Sequence, residues 1–239
     1  MNIALVLSGG TGSRLGGKVP KQYLVCDGRM MITRCLETAF SHTDLDAVQI
    51  VAADMWRETI VREMESWIFS RENTFREKFF GFSAPGETRQ FSIFSGLRDI
   101  ARRAEDDDIV MVHDAARPCL SARLISDCLA AIDGHDGVMP VLPMKDTVYL
   151  SRDGKTVSKL LPRSEIVAGQ APEFFRLGKY LQVNEALPRD KMLAINGATE
   201  PAILAGMDVA MVPGDEANFK ISTVADMERY LAWLEGQKE

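Results

Sequence analysis

The beginning of the chain joins an apolar run to a loop that is rich in glycine and positive charge. Residues 2–7 form an apolar stretch with β-branched members, which is typical of a buried central strand. Five glycines then fall within the nine residues 9–17. Glycine lets backbone N–H groups approach a polyanion closely, and the loop also carries Arg14, Lys18 and Lys21. This combination predicts a phosphate-binding loop at the end of a buried strand.

Strand and helix patterns alternate along most of the chain. Such alternation predicts a single domain over residues 1–239, an α/β three-layer sandwich with a mostly parallel, Rossmann-like sheet. Ser121 is expected to cap one of the helices. Beyond the first strand, the expected strands are 48–52, 78–82, 109–113, 137–143 and 209–212, and the expected helices are 30–40, 55–68, 89–102, 122–132, 177–187, 199–205 and 224–234.

Residues 145–168 interrupt the alternation. Two short runs, 147–150 and 156–161, flank the turn sequence Arg152-Asp153-Gly154-Lys155, which is a hairpin pattern. A two-stranded ribbon is only marginally stable in water, so it needs a surface to pack on. We therefore expect a projecting β-arm that contacts a second copy of the chain in a homodimer.

Composition excludes several classes of protein. The net charge is −6, whereas a general nucleic-acid binder needs a broad basic face. No apolar run approaches the roughly 20 residues of a membrane span, and the N-terminus carries no secretory signal pattern, so we expect a cytoplasmic protein. The cysteines follow no metal-binding spacing and are expected to be reduced thiols; they are Cys26, Cys35, Cys119 and Cys128.

Three kinds of nucleotide-binding site contain glycine-rich loops similar to this one. Residues 12–18 fit the G-x-x-x-x-G-K pattern of a P-loop, but Val19 supplies no hydroxyl for Mg²⁺ and Pro20 disrupts the helix that should begin there. A dinucleotide-binding fingerprint fails because Leu15 stands where its third glycine is required. The pattern instead favours a nucleotidyltransferase, in which Arg14 and Lys21 neutralise charge on a nucleoside triphosphate.

Four blocks of sequence make this interpretation more specific. They are Ser-Gly-Gly-Thr-Gly-Ser-Arg-Leu-Gly at 8–16 with Pro-Lys-Gln-Tyr at 20–23, Val-His-Asp-Ala-Ala-Arg-Pro at 112–118, Lys-Asp-Thr at 145–147, and Asn-Phe-Lys-Ile-Ser at 218–222. In this order they resemble the 2-C-methyl-D-erythritol 4-phosphate cytidylyltransferase family, whose close relatives act on D-ribitol 5-phosphate. The resemblance implies a homodimeric, Mg²⁺-dependent enzyme that joins CTP and an alditol phosphate to give a CDP-alditol and pyrophosphate.

The resemblance also implies roles for individual residues, which we carry over only where the motifs match. Catalysis would depend on Arg14, Lys21 and Lys220. Asp114 would bind both CTP and Mg²⁺, and the alditol phosphate would meet Arg117, Thr147 and Arg163, the last two on the arm. CTP would also contact Ser8, Gly9, Gly10, Gly12, Gly86, Glu87 and Ser92, with Glu87 replacing the aspartate usual in the family.

Two departures from the family pattern concern the acceptor. Gly169-Gln170-Ala171-Pro172-Glu173 stands where the family usually reads Gln-Thr-Pro-Gln, so the threonine hydroxyl is absent at Ala171. Gly197 occupies the place of an aspartate that binds acceptor hydroxyls. We expect 2-C-methyl-D-erythritol 4-phosphate to be the acceptor, and D-ribitol 5-phosphate is the alternative. A second hypothesis is a regulatory protein that binds CTP without turnover.

Overall fold

A central eight-stranded sheet lies between helices in the computed structural model, which describes residues 1–10 and 19–237. In chain order, the described strands are β1 Asn2–Leu7, β2 Val25–Cys26, β3 Arg29–Met30, β4 Ala47–Val51, β5 Phe79–Ser83, β6 Ile109–Asp114, β7 Gly137–Pro143, β8 Val148–Leu150, β9 Lys159–Leu161, β10 Val167–Gly169, β11 Glu173–Arg176 and β12 Val209–Pro213. The described α-helices are α1 Met31–Ser41, α2 Asp54–Met64, α3 Thr74–Glu77, α4 Arg89–Ile100, α5 Ala122–Ala131, α6 Leu177–Ala186, α7 Arg189–Ala194, α8 Thr199–Leu204 and α9 Val224–Gly236.

The sheet is mostly parallel, as predicted, but one of its inner strands runs the other way. Strands β5, β4, β1 and β6 are neighbours in that order and run parallel. Strand β11 is antiparallel to β6 on one side and to β7 on the other, and β12 pairs in parallel with β7. Because β11 is reversed, its first residue lies at the same edge of the sheet as the carboxyl end of β6. Strands β10 and β11 are not among the predicted strands, because they are too short to show a clear period.

Both faces of the sheet are covered. Along β1, Ala4 and Val6 pack into one core cluster, whereas Ile3 and Leu5 pack into the other. A strand buried on two faces needs apolar residues at successive positions, which explains the continuous run in the sequence. Helix α4 approaches closely enough that a Cβ on Gly96 would lie 2.4 Å from a Leu5 methyl carbon.

Helix ends follow local capping rules. The Ser121 hydroxyl accepts the backbone N–H of Leu124 at 3.3 Å, which confirms the predicted cap of α5. Thr88 caps α4 in the same manner through Phe91, at 3.4 Å. The predicted helix 55–68 is α2 followed directly by a π-helical turn, Glu65–Phe69.

The predicted hairpin is present. Strands β8 and β9 form a separate two-stranded antiparallel sheet, and the Asp153 carboxylate supports the turn by accepting the backbone N–H groups of Lys155 and Thr156. Tyr149 and Leu160 on this hairpin are each more than half exposed. Residues 167–169, at the end of the segment assigned to the arm, instead join the main sheet as β10 beside β7.

All four cysteines are free and buried, as expected of reduced thiols. Burial raises the pKa of Cys35, Cys119 and Cys128 to about 12. Because the thiolate is the reactive form, we expect a chromogenic disulfide reagent at pH 8 to react slowly with the native protein and rapidly with four thiols in denaturant. Fast reaction of the folded protein would contradict this burial.

Among the described residues, none of the helices has both the length and the apolar character that crossing a membrane requires.

Candidate active site

A cleft of about 520 Å³ opens at the carboxyl edge of the parallel strands. Ligands of open α/β sheets bind at this edge, where strand ends and the following loops supply polar groups. The segments that follow β1, β5, β6 and β12 all contribute to its walls. Residues that border it include Gly9, Gly10, Lys21, Gln22, Gly86, Glu87, Arg89, Ser92, Asp114, Asn196, Lys220 and Ser222.

The two predicted catalytic lysines meet here from opposite ends of the chain. The Lys21 ammonium donates to the backbone carbonyl of Ile221, 200 residues away in sequence. The adjacent Lys220 ammonium donates to Asp114 Oδ2 at 2.7 Å. Two positive charges are therefore directed into the same cleft, as an anionic ligand requires. The other residues singled out in the glycine-rich loop, Gly12, Arg14 and Lys18, lie outside the described residues.

Asp114 ends strand β6 and has a cation on each carboxylate oxygen. Arg89 Nε donates to Oδ1 at 2.8 Å, and Lys220 occupies Oδ2. Burial acts to raise the pKa of Asp114, but attraction and hydrogen bonds from Arg89 and Lys220 outweigh it and hold the pKa well below its usual range. Asp114 is thus an ionised carboxylate at the floor of the cleft.

Arg89 and Glu173 belong to the same charged group, and no sequence motif predicted a role for either residue. Arg89 Nη2 donates to Glu173 Oε2 at 3.1 Å, so the guanidinium bridges Glu173 and Asp114. Burial raises the pKa of Glu173, with Arg89 opposing the shift and Asp114 adding to it. One feature of the sequence could have drawn attention to Arg89. It is the first residue of α4, where the helix dipole disfavours a positive charge, so an arginine there suggests that a nearby negative group binds it.

The loops after β1 and β5 pack against each other without space for a side chain. A Cβ on Gly9 would lie 2.4 Å from Pro85 Cβ, and a Cβ on Gly86 would lie 2.3 Å from Phe91 Cβ. The Gly86 backbone N–H donates to the Ser92 hydroxyl at 3.0 Å, and that hydroxyl donates to the Thr88 carbonyl. Gly9 and Gly86 are therefore required for this packing.

We expect Gly9→Ala to lower the free energy of unfolding by about 1–3 kcal/mol, the usual cost of overpacking a tight contact. Gly10→Ala is the matched control, because none of the residues that the structure describes has an atom within 4 Å of a Cβ on Gly10. Urea denaturation of both variants measures the difference. Equal stability of the two variants would contradict the close contact with Pro85.

Ser8 is buried among other residues of the protein, although the resemblance implies a CTP contact for it. It is 2% exposed, and its hydroxyl lies 2.9 Å from the Tyr23 hydroxyl and donates to the Val51 carbonyl. The Gln22 amide donates to the carbonyls of Ser8 and Gly10 at 2.7 and 2.6 Å. The Gln-Tyr pair of the motif thus anchors the residues that enter the glycine-rich loop.

The remaining predicted residues are not all brought to this cleft. Glu87 borders it and forms an ion pair with Arg189. Arg117 lies behind the cleft wall, where Nη1 donates to the Asn218 carbonyl at 2.7 Å. On the arm side, Thr147 is exposed, and Arg163 borders a different pocket while donating to the Lys145 carbonyl. One chain alone does not unite the two arm residues with Asp114.

This fold and this site define the class of protein. A doubly wound sheet whose first strand leads into a glycine-rich loop, beside a cleft with converging lysines and an ionised aspartate, is the arrangement of a nucleotidyltransferase. Comparison with known proteins narrows the class to one family. The family model of 2-C-methyl-D-erythritol 4-phosphate cytidylyltransferase matches residues 2–235. The chain belongs to this family and is a cytidylyltransferase.

Individual relatives agree with this family. The 2-C-methyl-D-erythritol 4-phosphate cytidylyltransferase of Dechloromonas aromatica is 35% identical over 228 residues, covering 94% of this chain and 93% of the relative. A ribitol-5-phosphate cytidylyltransferase of Streptococcus agalactiae is 28% identical, covering 100% of this chain and 97% of the relative. The fold matches the crystal structure of 4-diphosphocytidyl-2C-methyl-D-erythritol synthase from Anaerococcus prevotii with a TM-score of 0.79, at 22% identity, covering 98% and 96% of the two chains.

Proposed function

We propose that this cytidylyltransferase transfers the cytidylyl group of CTP to 2-C-methyl-D-erythritol 4-phosphate, releasing pyrophosphate. The family match over residues 2–235 is the observation that carries the proposal. The convergence of Lys21, Lys220 and Asp114 on one cleft supports it, because phosphoryl transfer depends chiefly on positioning and electrostatic stabilisation.

In the proposed reaction, a phosphate oxygen of the acceptor attacks the α-phosphorus of CTP. A new bond forms between that oxygen and the α-phosphorus, while the bond from the α-phosphorus to the oxygen bridging the β-phosphorus breaks. Negative charge then develops on the departing pyrophosphate. Lys21 and Lys220 would stabilise this charge together with Arg14, and backbone N–H groups near Gly9, Gly10 and Gly12 would hold the triphosphate.

The residues present suit a magnesium ion at Asp114. Mg²⁺ is usually held by one or two carboxylates together with substrate phosphates. Within residues 1–10 and 19–237, no group of three or more His, Cys, Asp or Glu side chains is arranged to hold a metal. Asp114 is ionised, and a carboxylate has lone pairs for more than its two present partners. Mg²⁺ held there would neutralise triphosphate oxygens.

The acceptor is the part of the proposal that most needs an experiment. One relative, which aligns with this chain over 97% of its own length, is named a ribitol-5-phosphate cytidylyltransferase. Pyrophosphate release should be measured with CTP, Mg²⁺ and each of three acceptors: methylerythritol 4-phosphate, ribitol 5-phosphate and glycerol 3-phosphate. We expect the highest kcat/KM with methylerythritol 4-phosphate. A preference for ribitol 5-phosphate would transfer the proposal to that acceptor, and CTP binding without any turnover would favour the regulatory hypothesis.

We also propose that the hairpin β8–β9, with Thr147 and Arg163 beside it, completes the site of a second copy of the chain. The apolar side chains of Tyr149, Val157 and Leu160 are 55%, 68% and 57% exposed, which is an unusual concentration for so short a ribbon. In the dimer, the Arg163 guanidinium would bind the acceptor phosphate of the partner's site.

The variant Tyr149→Lys/Leu160→Lys should sediment as a monomer at micromolar concentration, whereas the unmodified chain should sediment as a dimer. Burying two lysines in an apolar contact is unfavourable because their charges must lose water. Ile203→Lys serves as the control, since Ile203 is 66% exposed on α8, which is not part of the arm. A monomeric unmodified chain would remove the proposed role of Arg163 in a partner's site.

A further inference from the structure

The Arg89 guanidinium lies between the carboxylates of Asp114 and Glu173, and of these two only Asp114 borders the cleft. Its Nε donates to Asp114 Oδ1 at 2.8 Å and its Nη2 donates to Glu173 Oε2 at 3.1 Å. Both carboxylate side chains are about one-tenth exposed, and the Arg89 side chain is about one-quarter exposed. Asp114 and Arg89 border the cleft, but Glu173 is not among its lining residues. Glu173 therefore contacts Arg89 without itself lining the cleft.

Contacts with the sheet and with α8 fix the position of Glu173. It is the first residue of β11, where its backbone is in register with Val112 of β6. Its second carboxylate oxygen, Oε1, lies 3.2 Å from the Thr199 hydroxyl at the start of α8. Arg89, by contrast, is a long side chain with several rotatable bonds at the N-terminus of α4. The sheet thus positions Glu173, and Glu173 limits the orientations that the Arg89 guanidinium can adopt.

The orientation of Arg89 in turn determines that of Asp114. Two donors of a planar guanidinium are committed to two different carboxylates, so the plane cannot rotate without losing one of them. With Oδ1 of Asp114 held in this way, Oδ2 is the oxygen that meets Lys220 at 2.7 Å. A metal ligand or charge partner is effective only when its own supporting contacts fix its geometry.

We propose that Glu173 is a positioning residue for the cytidylyl transfer reaction, acting through Arg89 to hold the Asp114 carboxylate in place at the cleft. This inference rests on the proposed role of Asp114 in binding Mg²⁺ with the nucleotide. It adds two residues, Glu173 and Arg89, to those that the sequence motifs indicate.

The test compares Glu173→Ala, which removes the acceptor of the Arg89 hydrogen bond, with Glu173→Gln, which keeps an oxygen there. For Glu173→Ala, we expect the Mg²⁺ concentration at half-maximal activity to rise about 10–100-fold, the usual effect of losing a residue that orients a metal ligand. Calorimetric binding of CTP in the presence of EDTA should change little. Glu173→Gln should restore most of the Mg²⁺ response. A Mg²⁺ response unchanged in Glu173→Ala, or equally impaired in Glu173→Gln, would overturn the proposal.

Arg89→Lys keeps the experiment decisive if Glu173→Ala does not fold. Lysine preserves the positive charge, but its ammonium lacks the planar set of N–H donors with which the guanidinium bridges two carboxylates. The same rise in the Mg²⁺ requirement is therefore expected. Thr199→Val is the matched control that touches Glu173 without touching Arg89, and its effect should be smaller. An unchanged Mg²⁺ response in Arg89→Lys would count against the proposal.

Failure of this inference can be distinguished from failure of the proposed function. If Asp114→Asn is inactive while Glu173→Ala and Arg89→Lys respond to Mg²⁺ as the unmodified enzyme does, only the positioning role is lost. If Asp114→Asn itself keeps full activity and Mg²⁺ response, the proposed metal site is wrong.

Discussion

Replacement of Lys21 by alanine should lower kcat by about 10²–10³, which is the effect of removing one preorganised electrostatic group from an active site. The Lys21 ammonium donates to the Ile221 carbonyl, so its position is set by the segment that also carries Lys220. Charge that develops on pyrophosphate in the transition state would meet this ammonium without reorganisation. The loss should therefore fall mainly on kcat, with a smaller change in the KM for CTP.

Lys179→Ala is a suitable control for Lys21→Ala. Lys179, near the start of α6, forms an ion pair with Asp136 at 2.6 Å, and neither residue borders the cleft. Exposed ion pairs contribute little, so kcat should be unchanged within error. Steady-state pyrophosphate release measures both variants, and circular dichroism checks that both are folded. A normal kcat in Lys21→Ala would refute its catalytic role.

The second large effect is expected for Asp114→Asn. Asparagine has nearly the same shape, but it removes the negative charge that Arg89 and Lys220 share. Since one buried charged partner is lost while two cations remain, the cleft becomes more positive and less able to hold Mg²⁺. We expect kcat to fall by about 10²–10³, on the scale of one lost electrostatic group, and the Mg²⁺ requirement to rise.

Metal titration of Asp114→Asn separates this explanation from a general loss of folding. CTP should still bind in EDTA, because Lys21 and Lys220 remain, and the thermal transition should stay cooperative. Asp136→Asn provides a control in which an aspartate that pairs with a lysine is neutralised outside the cleft. Unchanged turnover in Asp114→Asn would show that the ionised aspartate is not required.

Local patterns in the sequence predicted much of the fold. The apolar run 2–7, the turn at Arg152-Asp153-Gly154-Lys155 and the Ser121 cap each depend on neighbouring residues, and each is confirmed. Helix and strand periodicity placed the main parallel strands for the same reason. The short strands β10 and β11 were missed because pairing with β7, rather than their own sequence, makes them strands.

In the candidate site too, motifs predicted which residues are present but not which contacts they make. Motif matches predicted Lys21, Lys220 and Asp114, and the structure brings all three to one cleft. Motifs did not show that the Ser8 and Ser92 hydroxyls are engaged by the protein itself, because their partners come from other loops or from the backbone of the next turn.

The α/β class, the family and the motif residues at strand ends could all be predicted from the amino-acid sequence, because they depend on short-range patterns. The support of Asp114 by Arg89 and Glu173, in contrast, is visible only in the folded chain. Arg89 lies 25 residues from Asp114 and 84 residues from Glu173. Their meeting depends on the reversed direction of β11, which brings Glu173 to the edge where β6 ends. The sequence of β11 does not reveal that the strand is antiparallel to its neighbours, because this orientation is established only when the strands pair.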